Sequence, residues 1–367
     1  MKILQVITSM HIGGAEKLVT EITPLLKDRG YQVDVLLFDG TCTSFKLALQ
    51  KKGIRIFEFS KGGSVYNPLY ILKLFSFLRK YDIIHTHNTA PQLFAALGSV
   101  VCSVVLVTTE HTTSNRRRGW RWYKPIDRWM YNQYDTVITI SDKAEENLKK
   151  YLGYCCTHIC TVYNGVNISH FKEAEPDNSL RRNADKKVIV MVAGFRYQKD
   201  QDTLIRTMKY LSKEQYELWL VGDGERRELL EQLASEEKVE DIVRFLGVRS
   251  DVPNILKAAD VVVMSSHFEG LSLSSIEGMA VGKPFIASDV DGLHEITVGA
   301  GVLFPHGDSE RLAEEIEKLM QNPDYYKEVA DKCLERASKY DIKVMVEQYI
   351  SVYNACLLYT SPSPRDA

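Results

Sequence analysis

Short apolar runs alternate with amphipathic stretches through the first 168 residues. The first run ends just before Gly13 and Gly14, and an amphipathic stretch follows over residues 15–29 and stops at Gly30. This is the order of a strand, a glycine loop and a helix with a glycine stop. The strands predicted in this region cover residues 2–8, 33–38, 54–59, 83–86, 104–109 and 136–140. Alternation of this kind predicts a parallel sheet covered by helices.

The same pattern starts again after a polar stretch. Residues 169–187 contain few apolar side chains and several turn formers, which predicts a linker between two domains. The strands predicted beyond it cover residues 188–193, 216–221, 243–246, 261–265, 284–288 and 301–304. We therefore predict an α/β fold with two doubly wound, Rossmann-like domains, residues 1–168 and 188–340. We expect the two sheets to face each other across a cleft. Because ligands of such sheets bind beyond the carboxyl ends of the strands, the cleft would hold a donor and an acceptor.

Composition adds an asymmetry of charge. The chain has 367 residues, of which 45% are hydrophobic and 26% charged, so it is an ordinary globular sequence with a net charge of −2. Residues 1–170 hold 21 Lys and Arg against 13 Asp and Glu, and the remainder holds 25 against 35. A basic first domain could face anionic lipid or an anionic acceptor, whereas a nucleic-acid-binding domain is usually more basic. A chance asymmetry of solvated faces stays open.

Cysteine usage and apolar stretches point to a cytoplasmic protein. The seven cysteines form no regular framework, and the spacing of Cys155, Cys156 and Cys160 matches no common zinc site. The apolar run after Met1 is shorter than the core of a signal peptide, and residues 93–107 are too few to span a bilayer. We expect free thiols in a reducing compartment and no bound metal.

Two glutamates are separated by seven residues where a predicted strand leads into a helix. The segment reads HFEGLSLSSIE, with Glu269 in a glycine-containing loop and Glu277 in the helix. The amides that begin such a helix suit phosphate or sugar oxygens, and a helical carboxylate can bind vicinal ribose hydroxyls. Two solvated glutamates beside a helix cap would have the same spacing, so the spacing alone leaves both interpretations open.

This segment and its continuations, GMAVGKP and SDVDG, resemble the signature of retaining glycosyltransferase family 4, with its E-x7-E motif and GT-B fold. The resemblance extends over nearly the whole chain, because other family motifs occur in the same order. They are GGAE at 13–16, EH at 110–111, Ser141, NGV at 164–166, QKD at 198–200, VGDG at 221–224 and FLG at 245–247.

The resemblance implies a catalytic pair and a donor site. His111 would lie near the reacting face of the donor sugar, and Glu269 would contact the transferred sugar. Lys199 and Arg196 would balance the diphosphate as it leaves. In many relatives the phosphate-binding arginine stands directly before the position of Phe195, where this chain has Gly194. Here the arginine stands two positions later, at Arg196, so the role is assigned to that residue. The other implied donor contacts are Gly13, Gly14, Gly270, Leu271, Ser272, Leu273 and Glu277, with Val248 and Arg249 beside the nucleobase.

The implied reaction moves a hexosyl group from a UDP-sugar or GDP-sugar with retention, without a metal ion or other cofactor. The acceptor hydroxyl would attack on the face that the diphosphate leaves, and a covalent intermediate on Glu269 is the second-ranked path. Asp289 and Asp291 superficially fit a metal pair, but they lie in the family's turn after a strand. For His85 and His87 we expect structural roles or positions at the cleft edge.

A basic and aromatic segment lies where relatives meet the acceptor. Its cations and indoles suit a membrane interface or a saccharide on a lipid diphosphate. Such contacts would place the protein on the inner face of the plasma membrane. The resemblance implies a role there in the synthesis of cell-surface polysaccharide. RNA stacking and an ordinary solvated helix are the alternatives; we expect no nucleic-acid partner. The residues concerned are Arg117, Arg118, Trp120, Arg121 and Trp122.

Other functions share this fold. A sugar-nucleotide epimerase also uses two facing doubly wound domains, and a noncatalytic relative could keep the fold without the chemistry. A nicotinamide oxidoreductase is disfavoured because Gly13 and Gly14 lack the G-x-G-x-x-G spacing.

The C-terminal region has two parts. Residues 341–355 resemble the family's final helix, which returns to the first domain. Residues 356–367 read CLLYTSPSPRDA, without periodicity and with two Ser-Pro pairs, and we interpret them as a non-native tail.

Overall fold

The computed structural model describes residues 1–11, 13–112, 120, 122–153, 157–270 and 272–360. It divides the chain into two compact units. The first contains Met1–Asn164 and the C-terminal segment from Lys343, and the second contains Gly165–Ile342.

Within the described residues, the first unit has a parallel seven-stranded sheet in the order β3-β2-β1-β4-β5-β6-β7. Its strands are β1 Lys2–Ile7, β2 Gln32–Asp39, β3 Ile56–Ser60, β4 Ile83–His87, β5 Val105–Glu110, β6 Thr136–Thr139 and β7 His158–Thr161. Its helices are α1 Gly14–Asp28, α2 Ser44–Lys51, α3 Leu69–Leu78, α4 Thr89–Ser99, α5 Lys124–Tyr131 and α6 Asp142–Leu152. Central strands such as β4 and β5 are buried along their whole length, as expected for a parallel sheet covered on both faces.

The second unit has, within the described residues, a parallel six-stranded sheet in the order β10-β9-β8-β11-β12-β13. Its strands are β8 Lys187–Val192, β9 Tyr216–Val221, β10 Val243–Gly247, β11 Val261–Met264, β12 Phe285–Ser288 and β13 Val302–Phe304. Its helices are α7 Ile168–Lys172, α8 Gln201–Thr207, α9 Arg227–Glu236, α10 Val252–Ala258, α11 Leu273–Ala280, α12 His294–Thr297, α13 Ser309–Gln321 and α14 Pro323–Ser338. The two predicted Rossmann-like sheets are thus confirmed.

The polar segment predicted as a linker, residues 169–187, lies inside the second unit. Phe171 is buried in its core, and the Arg181 guanidinium donates to the Ala258 carbonyl at 2.6 Å and to Asp260 at 2.8 Å. The segment is held largely by hydrogen bonds to polar groups. The low apolar content of this segment therefore does not reveal that it is packed into the second unit.

The last helix, α15 Ile342–Thr360, continues five residues past the end predicted at 355. Tyr349, Tyr353 and Cys356 are buried, and this i, i+4, i+7 spacing carries the buried face of the helix into the predicted tail. The Cys356 thiol lies 3.3 Å from the hydroxyl of Thr136 in β6. Residues 361–367 of the predicted tail lie outside the described residues. None of the described helices is long and apolar enough to cross a membrane.

Candidate donor site and histidine cluster

Lys199 and Glu269 form an ion pair between the loops that follow β8 and β11, two neighbouring strands of the second sheet. Ser266 donates a hydrogen bond of 2.9 Å to the same carboxylate oxygen of Glu269, whose side chain is only 7% exposed. The pair therefore lies at the carboxyl ends of parallel strands, where ligands of doubly wound sheets bind.

The two loops are also joined by hydrogen bonds from Gln198. Its carbonyl accepts from the His267 amide at 2.8 Å, and its side-chain amide donates to the Phe268 carbonyl at 3.0 Å. Gln198 thus fixes the separation of Lys199 and Glu269. The sequence pattern contained no signal for this role.

Gly292 supports the Glu269 loop from the segment after β12. Its φ is +84°, and a Cβ there would lie 2.4 Å from the Glu269 carbonyl oxygen and 2.5 Å from that of Gly270. No side chain fits without moving these carbonyls, so the glycine is required by packing as well as by conformation. The same segment holds Asp289, whose carboxylate lies 2.6 Å from His294 Nδ1.

Arg196 is exposed beside this pair, at the start of the 3₁₀ turn Tyr197–Lys199. In the described part of the chain it has no ion pair, so its charge is available to a ligand. A nearby arginine differs, because Arg226 makes two hydrogen bonds to Asp202, of 2.7 and 2.9 Å.

The start of α11 supplies the remaining predicted donor contacts of this loop. Ser272 is the N-cap, and its side chain makes no capping bond. Its carbonyl accepts from the Ser275 amide at 3.1 Å, so among the described residues the amides of Leu273 and Ser274 are the ones that lack a capping side chain. Gly270, Ser272 and Leu273 lie together here, and Glu277 is half-buried within the helix. Leu271 lies outside the described residues.

The predicted nucleobase-side residues follow β10. Val248 is 81% exposed. The Arg249 guanidinium donates to Asp251 at 2.8 and 2.6 Å, so this arginine is already paired within its own loop.

In the first unit, Gly13 and Gly14 begin α1. A Cβ at Gly14 would have no atom of the described structure within 4 Å, so the packing of the protein itself does not require a glycine there. Open space at a helix N-terminus is where a ligand could approach the backbone closely.

His111 follows β5 and ends a chain of hydrogen bonds that begins at the last helix. The ring nitrogen His111 Nε2 lies 2.8 Å from His87 Nδ1, and His87 Nε2 lies 2.7 Å from the side-chain oxygen of Gln5. Gln5 also donates to the Tyr353 hydroxyl at 3.4 Å, which lies 2.6 Å from His85 Nδ1. His85 and His87 are fully buried, which agrees with the structural roles expected for them.

Burial makes all three rings neutral. Desolvation lowers the pKa of His85 to about 3 and that of His111 to about 4, and it holds the pKa of His87 well below its usual value. These imidazoles are uncharged at neutral pH. His111 can therefore act as a hydrogen-bonding group or as a base, but not as a fixed cation.

The predicted acceptor-side segment is only partly described. Trp120 and Trp122 stack with ring centroids 5.8 Å apart and are 53% and 67% exposed. Arg117, Arg118 and Arg121 lie outside the described residues, as do Cys155 and Cys156 of the cysteine group. The two exposed, stacked indoles form an apolar surface.

Two parallel Rossmann-like sheets in tandem, with a cation–carboxylate pair after neighbouring strands of the second, define a glycosyltransferase of GT-B architecture. The profile described as "Glycosyltransferase Family 4" matches residues 12–170, and the profile "Glycosyl transferases group 1" matches residues 172–340. The chain belongs to glycosyltransferase family 4.

Individual relatives agree with this assignment. An uncharacterized glycosyltransferase of Methanocaldococcus jannaschii is 33% identical over 59% of this chain and 60% of its own length. An Escherichia coli UDP-Gal:alpha-D-GlcNAc-diphosphoundecaprenol alpha-1,3-galactosyltransferase is 29% identical over 60% of this chain and 62% of its own. The crystal structure of Anabaena Alr3699/HepE with UDP shares the fold, with a TM-score of 0.80 and 24% identity over 97% of this chain and 100% of that one.

Proposed function

We propose that this enzyme transfers a hexosyl group, with retention and without a metal ion, from a nucleotide diphosphate sugar to a saccharide or lipid-linked saccharide acceptor in cell-surface polysaccharide synthesis. The observation that carries the proposal is the Lys199–Glu269 pair with the unpaired Arg196 beside it. Two cations in the loop that follows β8 suit a diphosphate leaving group.

The reaction follows from these charges. The acceptor hydroxyl attacks the anomeric carbon on the face from which the diphosphate departs. The bond from that carbon to the β-phosphate oxygen breaks, and the phosphate takes the hydroxyl proton. Lys199 and Arg196 stabilise the charge that develops on the phosphate, and Glu269 holds the sugar. Positive side chains provide this stabilisation without a divalent ion.

The names of relatives indicate which substrates to test first. The Anabaena structure contains UDP, and the E. coli relative is named for a UDP-sugar donor and a diphosphoundecaprenol acceptor. We therefore propose a UDP-sugar as the donor ahead of a GDP-sugar. The exposed Trp120–Trp122 pair suits contact with the surface of a membrane that holds such an acceptor, on its cytoplasmic side.

The test is a transfer assay in EDTA with UDP-glucose, UDP-galactose, UDP-N-acetylglucosamine and GDP-mannose, using short saccharides on undecaprenyl diphosphate. We expect one donor to yield a product whose anomeric configuration, read by NMR, equals that of the donor. An inverted product or a strict requirement for Mg²⁺ or Mn²⁺ would contradict the mechanism. Interconversion of donor epimers without transfer would support the epimerase alternative instead.

A further inference from the structure

The hydrogen-bonded chain from Gln5 to His111 has a direction that its chemistry fixes. A carboxamide oxygen can only accept, so His87 Nε2, which lies 2.7 Å from that oxygen of Gln5, carries a proton. Because the ring is neutral, His87 Nδ1 holds a lone pair. The nitrogen facing it, His111 Nε2 at 2.8 Å, must then be the donor.

We propose that Gln5 and His87 are positioning residues that hold His111 in the tautomer with the proton on Nε2, so that His111 Nδ1 presents a lone pair to a ligand hydroxyl. This deepens the proposed transfer and rests on it only for the identity of that hydroxyl. With the opposite tautomer, His111 would donate a hydrogen bond and could not accept a proton.

The last helix anchors the carboxamide. The Tyr353 hydroxyl accepts from the Gln5 amide nitrogen at 3.4 Å and can give its own proton to His85 Nδ1 at 2.6 Å. His85 Nε2 then donates to the Thr109 hydroxyl at 2.8 Å. In this arrangement each of these donors has an acceptor, and the Gln5 oxygen is kept facing His87. Rotating the Gln5 carboxamide would reverse the proton positions in both His87 and His111.

Nitrogen NMR of the full chain labelled with ¹⁵N-histidine tests the proposal, because a protonated and an unprotonated imidazole nitrogen resonate far apart. We expect His111 in the wild type to show a proton on Nε2 and a lone pair on Nδ1. In Gln5→Met the acceptor is lost and the two tautomers of His111 should mix. Tyr349→Phe is the matched control, because its hydroxyl contacts Thr109 at 3.3 Å and lies off the path from Gln5 to His111.

A His111 ring with its proton on Nδ1 in the wild type, or an unchanged tautomer in a folded Gln5→Met protein, would overturn the proposal. If Gln5→Met does not fold, the wild-type spectrum still decides the direction. No donor or acceptor is needed for this readout. Failure of sugar transfer and failure of the tautomer assignment are therefore separate results.

A second observation, independent of the first, lies in the other unit. Among the described residues, Asp200, His267 and His306 are the group whose potential metal-ligating atoms all lie within 4.8 Å of one another. His267 Nδ1 is 3.7 Å from Asp200 Oδ2 and 2.6 Å from His306 Nε2, and His306 Nε2 is 4.0 Å from Asp200 Oδ2. Tetrahedral zinc with bonds of about 2.0–2.1 Å separates its ligands by about 3.3 Å. The two imidazoles therefore need to move apart, and each needs to move closer to the Asp200 carboxylate, by less than about 1 Å in every case.

The geometry points to a binding site for a Zn²⁺-like ion at this triad, with Asp200 and two imidazoles as ligands and water completing the shell. Asp200 is held in place as the N-cap of α8, where it accepts from Thr203. His306 has a 40% exposed side chain, which leaves a path for an ion. Imidazole ligands favour zinc, cobalt or nickel over magnesium. No step of the proposed transfer uses this ion.

Titration of Co²⁺ into the EDTA-treated full chain, followed by visible absorption and by displacement with Zn²⁺, tests the site. We expect one saturable tetrahedral cobalt spectrum that His306→Ala weakens by about ten-fold or more. His294→Ala is the control, because this exposed histidine pairs with Asp289 in the same unit. Absence of saturable binding, or equal binding by His306→Ala and the wild type, would overturn the assignment.

Discussion

At the scale of single residues, Lys199 pairs with Glu269 in the free protein. We propose that it binds the donor phosphate in the complex. We predict that Lys199→Met lowers kcat by about 10²–10³-fold, because a fixed charge at the leaving group is lost. It also leaves the nearly buried Glu269 with the hydrogen bond from Ser266 but without its cation, which should lower the free energy of unfolding by about 1–3 kcal/mol. Steady-state kinetics and urea denaturation measure the two effects.

Lys187→Met is the matched control for this prediction. Lys187 is exposed at the opposite end of the same strand, β8. Its removal should leave kcat within a few-fold of the wild type. Equal kinetics of the Lys199 and Lys187 variants would remove Lys199 from the proposed site.

Gly292 allows a test of the support behind Glu269. Gly292→Ala should lower kcat strongly, because the added Cβ displaces the carbonyls of Glu269 and Gly270. Gly282→Ala has a comparable backbone cost, with φ of +71°, but nothing lies within 4 Å of its Cβ. Both variants should lose about 1–2 kcal/mol of stability from the positive φ, and only the first should lose activity. Similar kcat values for the two would show that the Gly292 contact does not position Glu269.

The residues of the candidate donor site could be predicted only where a family motif contains them. The family pattern named Lys199, Arg196 and Glu269, and the structure pairs Lys199 with Glu269 across neighbouring strand ends, with Arg196 in the same loop as Lys199. Gln198 and Gly292 were not predicted to have these roles. A backbone contact between two loops leaves no pattern of residue types until the loops are folded.

At the scale of elements, the histidines of β4 and the loop after β5 make the first unit sensitive to acid. Their pKa values are lowered on folding, so between about pH 6.5 and 4 the unfolded chain binds protons that the folded chain does not. The free energy of unfolding must therefore fall as the pH falls through this range. We predict that His85→Gln reduces this slope by up to about 1.4 kcal/mol per pH unit.

Urea denaturation from pH 4.5 to 7.5 measures that slope. His170→Gln is the control, because it removes an exposed histidine that lies outside this buried group. The contribution of the carboxylates to the slope is the same in both variants, so it cancels in the comparison. A wild-type slope that His85→Gln leaves unaltered would contradict the buried, neutral state of His85.

The last turns of α15 provide another test at this scale. Truncation after Thr360 should keep wild-type stability, whereas truncation after Ala355 should lower the free energy of unfolding by about 1–3 kcal/mol, because it removes the buried Cys356 and a turn of helix. Thermal and urea unfolding of the two truncated chains compare them directly. Equal stability would favour a foreign tail that begins at residue 356.

Elements with strong apolar periodicity were predicted and are confirmed, including six strands in each sheet. β7 was not predicted, because HICT is short, sits at the sheet edge and is not fully buried. Its pairing with β6, which joins Thr136 to His158 and Thr139 to Thr161, forms only after the chain has returned through α6. Local pattern carries little information about such an edge strand.

At the scale of the whole molecule, two α/β domains with parallel sheets were predicted from the sequence, but the boundary between them was predicted too far along the chain. The structure divides the chain between Asn164 and Gly165, and the polar segment that follows belongs to the second unit. Gly165 and Ile342 are the first and last residues of the second unit, and a Cβ at Gly165 would lie 2.6 Å from Cα of Ile342. The two ends of this unit therefore pack closely against each other. Contacts between segments so distant in sequence are invisible to composition.

We propose that the second unit binds a nucleotide diphosphate through cationic side chains and Glu277, without a divalent ion. Isothermal titration calorimetry of UDP into the chain ending at Thr360, in EDTA, tests it most directly, with Glu277→Ala and Lys199→Met as variants. We expect saturable binding by the wild type that either substitution weakens by about ten-fold or more. Absence of binding in EDTA with recovery on adding Mg²⁺, or equal affinity in all three proteins, would contradict it.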